Sequence, residues 1–338
     1  MLTQPVAAQA APSRSPSAQR SPARPMFSAA TRSRILAFAA KDLGRSARNL
    51  TIREVQSATW SDSCLGLGGP AEICAQAQVP GWWVEIGERN GWGSPSWFYR
   101  ADRAGSVVRR APQARSLGPE TEQRLLTEAA KILKQPGRSL QITDLVRKTW
   151  DGCLGISPGP AGACPAIALD GWQAVLSDGS RSFVFNLDRS ASQIRHNERA
   201  SSTTARIAPV TDRVAPLAMG ELFAVETRGG ITGRWERITL MSNGQVLRRS
   251  GNQPAQAIGR LPQDYRLGSD AYELWDLSGL AYWPTAPGGA DIPTVTAIGR
   301  FGVIQYSEAM RDQLPPTLGQ LMRNWDRAIG SLSPTPTP

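Results

Sequence analysis

The chain repeats itself. Ala39-Ala40-Lys41 recurs as Ala129-Ala130-Lys131, and the same spacing of about 90 residues pairs Ile35 and Leu36 with Leu125 and Leu126. It also pairs Leu50 and Ile52 with Leu140 and Ile142, Trp60 with Trp150, Cys74 with Cys164, and Gly81-Trp82 with Gly171-Trp172. The run from Trp60 through Asp62, Cys64, Leu65 and Gly66 returns as Trp150, Asp151, Cys153, Leu154 and Gly155, one residue shorter. A repeat of this kind marks a unit that must fold the same way twice. Any architecture for the 338 residues must therefore contain two copies of one small unit.

Each copy reads as a helix followed by a sheet. Ile35, Leu36, Ala39 and Leu43, and their counterparts Leu125, Leu126, Ala129 and Leu133, recur at spacings of three and four, which gathers them on one helical face. Ser116, Pro119, Glu120 and Glu122 favour a helix start in the second copy. Leu50–Trp60 and Leu140–Trp150 are predicted strands. Hairpins follow, Trp82–Ile86 with Trp97–Arg100 around Asn90-Gly91, and Trp172–Leu176 with Ser182–Leu187 around Asp178-Gly179, dipeptides that accept the positive φ of tight turns. Short strands at Val107–Arg110 and Gln193–His196 close the units. The expected class is α+β: two tandem helix-plus-antiparallel-sheet repeats followed by a third small α+β domain.

The predicted boundaries are a basic Ala/Pro/Ser tail over 1–31, repeats over 32–112 and 116–198, a linker over 199–216, a domain over 217–330 and a short tail over 331–338. The tails are expected to be disordered. Met1–Ala10 ends in Ala8-Gln9-Ala10, a small-residue pattern that reads either as the remnant of an export signal or as ordinary low-complexity sequence. No stretch has the 18 or more apolar residues of a membrane span.

The net charge is +10, and half of it comes from Arg14, Arg20, Arg24, Arg32 and Arg34 in a stretch without acids. No dense Lys/Arg run is present, so a basic surface is expected rather than nucleic-acid binding.

Four cysteines fall in two pairs, Cys64/Cys74 and Cys153/Cys164, without a C-x-x-C, and His196 is the chain's single histidine. Two cysteines per copy leave a zinc site short of ligands unless the copies share one, and a redox dithiol would favour C-x-x-C. One disulfide within each copy is the leading reading, with reduced, buried thiols as the alternative. Disulfides would imply an oxidising compartment, hence an extracytoplasmic protein, periplasmic or secreted.

The segment resembles a module of exported bacterial proteins with the pattern W-x-D-x-C-L-G, a second cysteine, G-[WY] and an aromatic strand ending near aspartate. The matching residues are Trp60, Asp62, Cys64, Leu65, Gly66, Cys74, Gly81, Trp82, Tyr99 and Asp102. The second copy departs by its shorter loop and by Phe185 in place of Tyr99. The resemblance spans most of 50–110 and 140–196 and implies an extracytoplasmic location.

Past Ala200–Thr204 no cysteine recurs. Leu222–Arg228 and Trp235–Leu240 read as strands around Gly229-Gly230-Ile231-Thr232-Gly233, and Asn243-Gly244 as a turn. Asp270–Leu280 has helical spacing, Thr294–Ile298 and Gly302–Tyr306 read as strands, and Pro316–Ile329 as an amphipathic helix. This order resembles the emfourin-like inhibitors of thermolysin-type metalloproteases, through Gly229, Gly230, Gly233, the helix end at Leu277–Leu280 and the Pro315–Trp325 segment. The strands after the helix lack that family's acidic-aromatic stretch, and Gln253–Leu267 looks like an insertion. The resemblance implies a secreted protease inhibitor.

Among single residues, Trp82-Trp83 and the set Trp92, Trp97 and Phe98 read either as sheet packing or as a binding surface. Successive strand side chains face opposite ways, and Gln173 stands where the second copy would repeat Trp83, so Trp83 is the outward candidate. Trp83, Trp92, Gly229, Gly230 and Gly233 are thus the candidate binding-surface residues. Asp62 and Asp151 read as turn formers, and His196 as solvated. No G-x-S-x-G, H-E-x-x-H, Walker loop or G-x-G-x-x-G occurs. The sequence therefore points to a non-catalytic, monomeric extracytoplasmic binding protein with no cofactor or metal, its partner an extracytoplasmic protein or a protease.

Overall fold

A computed structural model describes residues 26–69, 71–89, 96–112, 117–156, 162–212, 214–231, 233–262, 274–286, 291–300 and 302–332. Trp92, Asn90-Gly91, Ser116, most of the basic tail and residues 333–338 lie outside the described residues.

The first unit opens with α1 (Ala29–Leu43), earlier than the predicted boundary at 32 because Ser28 caps it, its hydroxyl accepting from Thr31 N at 3.0 Å. Gly44 ends it in the left-handed conformation. Strands β1 (Leu50–Trp60), β2 (Val79–Glu88), β3 (Ser96–Asp102) and β4 (Val108–Ala111) follow as an antiparallel sheet in chain order.

The second unit has the same plan. Helix α2 (Pro119–Leu133) carries Pro at its start and Glu120 and Glu122 in its first turn. Strands β5 (Gln141–Trp150), β6 (Leu169–Ser177), β7 (Ser182–Asp188) and β8 (Ile194–Ser202) again pair antiparallel in chain order. The registers correspond: Trp82 faces Ala101 across the hairpin and Trp172 faces Leu187. The α+β class holds, with helices packed on largely antiparallel sheets.

The remaining strands are β9 (Ala205–Pro209), β10 (Glu221–Gly229), β11 (Arg234–Met241), β12 (Gln245–Ser250), β13 (Gln256–Arg260), β14 (Leu280–Pro284), β15 (Thr294–Gly299) and β16 (Gly302–Ser307). They form one eight-stranded sheet in the order β13-β12-β11-β10-β15-β16-β14-β9, in which β14 runs parallel to β16. Helix α3 (Pro316–Gly330) covers it with Leu318, Leu321, Met322 and Trp325.

Two expectations change here. The span 199–216 is not simply a linker: it completes β8 and supplies β9, which pairs with β14. Its polar residues are tied to backbone, the Ser201 hydroxyl accepting from Val184 N at 2.9 Å and that of Ser202 from Ala205 N at 2.9 Å. The helix expected over Asp270–Leu280 is replaced, in its described part, by one 3-10 turn at Trp275–Leu277, and Leu280 begins β14. Leu274 and Leu277 are both fully buried, and three-residue spacing suits a 3-10 turn as well as an α-helix.

The core has three parts. Ile35, Ala39, Trp82, Val84, Ile86 and Tyr99 join α1 to the first sheet. A second cluster takes Leu125 and Ala129 of α2, Trp172, Ala174 and Phe185 of the second sheet, and Trp83 and Phe98 from the far face of the first. The third takes Val175, Val184 and Ala200 from the far face of the second sheet into the core beneath α3. Each four-stranded sheet is therefore covered on both faces, one by its own helix and one by the module that follows.

Candidate functional site

The duplicated tryptophan-cysteine loop comes first. Cys64–Cys74 and Cys153–Cys164 are disulfides, with Cα–Cα distances of 5.5 and 5.4 Å. Asp62 Oδ1 accepts from Cys64 N at 2.8 Å and Gly66 N at 2.9 Å, and Asp151 Oδ1 accepts from Cys153 N at 3.0 Å and Gly155 N at 2.9 Å. These are Asx-type turns. They hold Leu65 and Leu154 at positive φ, a costly conformation for leucine, with both side chains fully buried.

Each loop is anchored from outside as well. Arg100 donates to Leu65 O at 3.0 Å, and Asn186, at the equivalent strand position, donates to Leu154 O at 2.8 Å. Trp60 Nε1 donates to Ala101 O at 3.0 Å and Trp150 Nε1 to Leu187 O at 3.2 Å. Those indoles explain the repeated glycine: a Cβ at Gly81 would collide with Ala101 O and approach Trp60 Nε1 to 2.6 Å, and one at Gly171 would approach Trp150 Nε1 to 2.9 Å.

In each loop the aspartate and both sulfurs offer atoms within 4.8 Å of one another, a spacing that would suit a metal ion. Metal-binding cysteines are thiolates, however, and these sulfurs are bonded to each other. The donor set does not fit a metal while the disulfides are intact.

Trp83 is not on the surface. It is only 3% exposed, stacked on Phe98 at 5.6 Å between centroids, and Phe98 meets Trp172 of the second unit at 5.6 Å. Expected to point outward, it does lie on the face of the sheet opposite Trp82 and α1, but that face is covered by the second unit. Beside it Glu85, 1% exposed, accepts from Arg147 at 2.8 Å and Arg189 at 2.7 Å, both from the second unit, and from Ser96 Oγ at 2.5 Å. Arg147 also pairs with Asp170. Burial alone would lower the Arg147 pKa, and the hydrogen bonds to Asp170 and Glu85 outweigh it, holding that pKa above the ordinary arginine value.

The matching face of the second unit is uncharged at its centre, Val175 standing where the first has Glu85. Gln173 and Asn186 replace Trp83 and Arg100, and the adjacent module bonds to this side through Lys148 Nζ to Ser278 O at 3.2 Å and Tyr282 OH to Ala200 O at 3.1 Å. Asn197 Nδ2 donates to Asp276 O at 2.7 Å. Burial lowers the Lys148 pKa.

Sequence reading missed one constellation. His196 Nε2 lies 3.1 Å from Ser201 Oγ, and His196 Nδ1 lies 3.8 Å from Glu198 Oε1, an order that mimics a Ser-His-acid triad. Neither end is arranged for catalysis. The Ser201 hydroxyl donates to Asn197 O at 2.8 Å and accepts from Val184 N, so it staples the β7–β8 bulge. His196, read as solvated, has a side chain only 14% exposed and stacks on Phe185 at 4.9 Å. Burial lowers its pKa, with Glu198 opposing, which favours neutral imidazole at neutral pH. The H-x-x-x-x-S proximity has no sequence signal because it depends on the register shift between Ser182 and Val184 in the β7–β8 pairing.

Gly229, Gly230 and Gly233 all have positive φ and turn the β10–β11 hairpin, placing Ile231 at its tip, 88% exposed. Thus Trp83 and the glycine hairpin occupy separate places, one interior and one exposed.

Compared with known proteins, residues 33–110 match a family described as a domain of unknown function (DUF8738), a match that covers the first unit from α1 to β4. No curated protein and no solved structure matches the chain. Among the described residues no helix is long and apolar enough to cross a membrane.

Proposed function

We propose that this is a non-catalytic, extracytoplasmic binding protein, periplasmic or secreted, built as two tandem disulfide-closed repeats that carry a third α+β domain. The observation that supports it is the use made of the duplicated polar groups. Asp62, Asp151, Arg100 and Asn186 brace backbone around disulfide-closed loops, and Ser201 is bonded on both sides to backbone. Such loops lose little conformational entropy on binding, which suits a rigid recognition surface. The disulfides favour an oxidising compartment. The protein acts as a monomer, without cofactor, on an extracytoplasmic protein partner. Mass spectrometry of unreduced protein from fractionated native cells tests the compartment: disulfide-linked peptides in the extracytoplasmic fraction are expected, and free thiols in the cytosol would overturn it.

A second reading, a secreted protease inhibitor acting through the C-terminal domain, is favoured by the exposed Ile231 on the Gly229-Gly230-Gly233 hairpin. An apolar tip on a stiff turn is the kind of group that enters a protease cleft. Full-length protein at micromolar concentration should then slow a thermolysin-type protease, and Ile231→Asp should relieve it. An uninhibited protease rules this reading out.

A further inference from the structure

The second unit has a groove of about 600 Å³ between the outer flank of α2 and the start of β8, lined by Arg124, Glu128, Lys131, Gln193 and Arg195 among others. Three cations face one carboxylate there, and that carboxylate, Glu128, is already paired with Lys131 at 2.9 Å. Arg124 and Arg195 each direct one nitrogen to a carbonyl, Ser190 O at 3.1 Å and Cys153 O at 2.9 Å. Those bonds fix the guanidinium groups without neutralising them. Strand β8 is the last of its sheet, so Ile194–His196 beside the groove lie on an edge, where backbone groups can pair with an added strand.

The first unit provides an internal control. Its helix and last strand come together in the same way, and Arg34 repeats the anchoring bond of Arg124, to Ala104 O at 2.9 Å. The lining differs: Ala37 and Phe38 replace Thr127 and Glu128, Val107 replaces Gln193, and Arg109 is paired with Glu72 of the cysteine loop. One scaffold folds with either lining: the three cations recur in the first unit as Arg34, Lys41 and Arg109. The second groove is set apart by its polar Thr127, Glu128 and Gln193 and by an Arg195 held by a carbonyl where Arg109 is held by a carboxylate.

We propose that the α2–β8 groove binds an extended acidic peptide segment of a partner protein, added along the edge of β8. This rests on the reading of the protein as a binding protein and names the chemistry of its partner. The chain's own N-terminal tail is a poor occupant, because it carries Arg14, Arg20 and Arg24 and no acid.

The test uses the full-length protein and a fluorescein-labelled ten-residue Glu-Val alternating peptide, with a Lys-Val peptide as control, at about 50 mM salt so that screening does not mask the effect. Because the whole protein is cationic, location decides the outcome. Lys131→Glu with Gln193→Glu should weaken binding about tenfold or more, and Glu128→Lys should strengthen it roughly two- to fivefold, whereas Arg327→Glu on the distant α3 should change it less than about twofold. All of these positions are exposed or half-buried, so folding should survive, and the gain expected from Glu128→Lys cannot come from unfolding. Gln193 exchanges its backbone bonds with Asp188 on the β7 side, so by alternation the edge amides are those of Ile194 and His196. Amide exchange should slow at these two, and N-methylating alternate peptide amides should abolish binding. Equal losses from every charge reversal, protection elsewhere, or full binding by the N-methylated peptide would overturn the proposal. A cross-linked cellular partner that is insensitive to Lys131→Glu and to the acidic peptide would refute this groove while leaving the binding-protein reading intact. Absence of both partner and probe binding would defeat both.

Discussion

The far faces of the two four-stranded sheets hold equivalent positions and different residues. In the first unit the face carries Trp83, Glu85, Phe98 and Arg100; in the second, Gln173, Val175, Val184 and Asn186 stand in their places. Both are buried, by different neighbours. The first meets aromatic and arginine side chains of the second unit, and the second meets backbone carbonyls and apolar groups of the C-terminal module. The shared residues, Trp60/Trp150, Asp62/Asp151, Gly81/Gly171 and the cysteines, serve the unit internally. The divergent residues serve its contact with whatever comes next. In this chain, difference between the copies therefore marks interfaces at least as well as it marks ligand sites.

Six changes can break or sharpen that comparison. Trp83→Ala should cost about 3–5 kcal/mol in a denaturant titration of the full chain, the range for removing a large buried aromatic. Gln173→Leu at the matching position should be near neutral, because the buried Gln173 Oε1 has no hydrogen-bond partner and its removal leaves nothing unpaired. Comparable losses at the two sites would refute the distinction. Replacing Cys153 and Cys164 by alanine should cost about 2.5–3 kcal/mol, the closure entropy of a loop of this length, and the Cys64/Cys74 pair should behave alike. Unequal losses would show that the loops are not equivalent.

Glu85→Gln should cost about 2 kcal/mol, below the roughly 3–5 kcal/mol of a fully buried pair, because Arg147 and Arg189 keep partial contact with solvent. The smallest effect belongs to His196. Its folded pKa lies below the ordinary 6.5, so the unfolded chain binds the proton more readily. Its contribution is complete above that ordinary value and is lost as pH falls through the folded pKa. His196→Gln should flatten that part of the stability-pH curve, and an unchanged slope would show that the histidine is solvated after all.

Much of the unit was legible in the sequence because its signals are local. Helix faces, Asp-Gly hairpin, Asx turns and cysteine pairing each follow from residues within a few positions of one another, and they recur. The burial of Trp83 was not legible. Alternation along a strand gives the face on which a side chain lies but not what covers that face, and the cover here is Phe98 backed by Trp172, distant in sequence. Glu85 escaped for the same reason: its partners, Arg147 and Arg189, come from the other unit. The polar run Ser201–Thr204 suggested a linker, yet its hydroxyls bond to strand backbone, which composition alone does not convey. The Ser201–His196 contact depends on a bulge whose register no local pattern encodes.

The central structural claim is that the far face of the first sheet is an interior contact between the two units. A double-mutant cycle between Glu85→Gln and Arg147→Met, read by denaturant unfolding of the full chain, tests it most directly. Residues in one ion-pair network couple by roughly 0.5–3 kcal/mol, while distant residues add within about 0.3–0.5 kcal/mol. A coupling of about 1 kcal/mol or more is the predicted result, and strict additivity of the two substitutions would contradict the account.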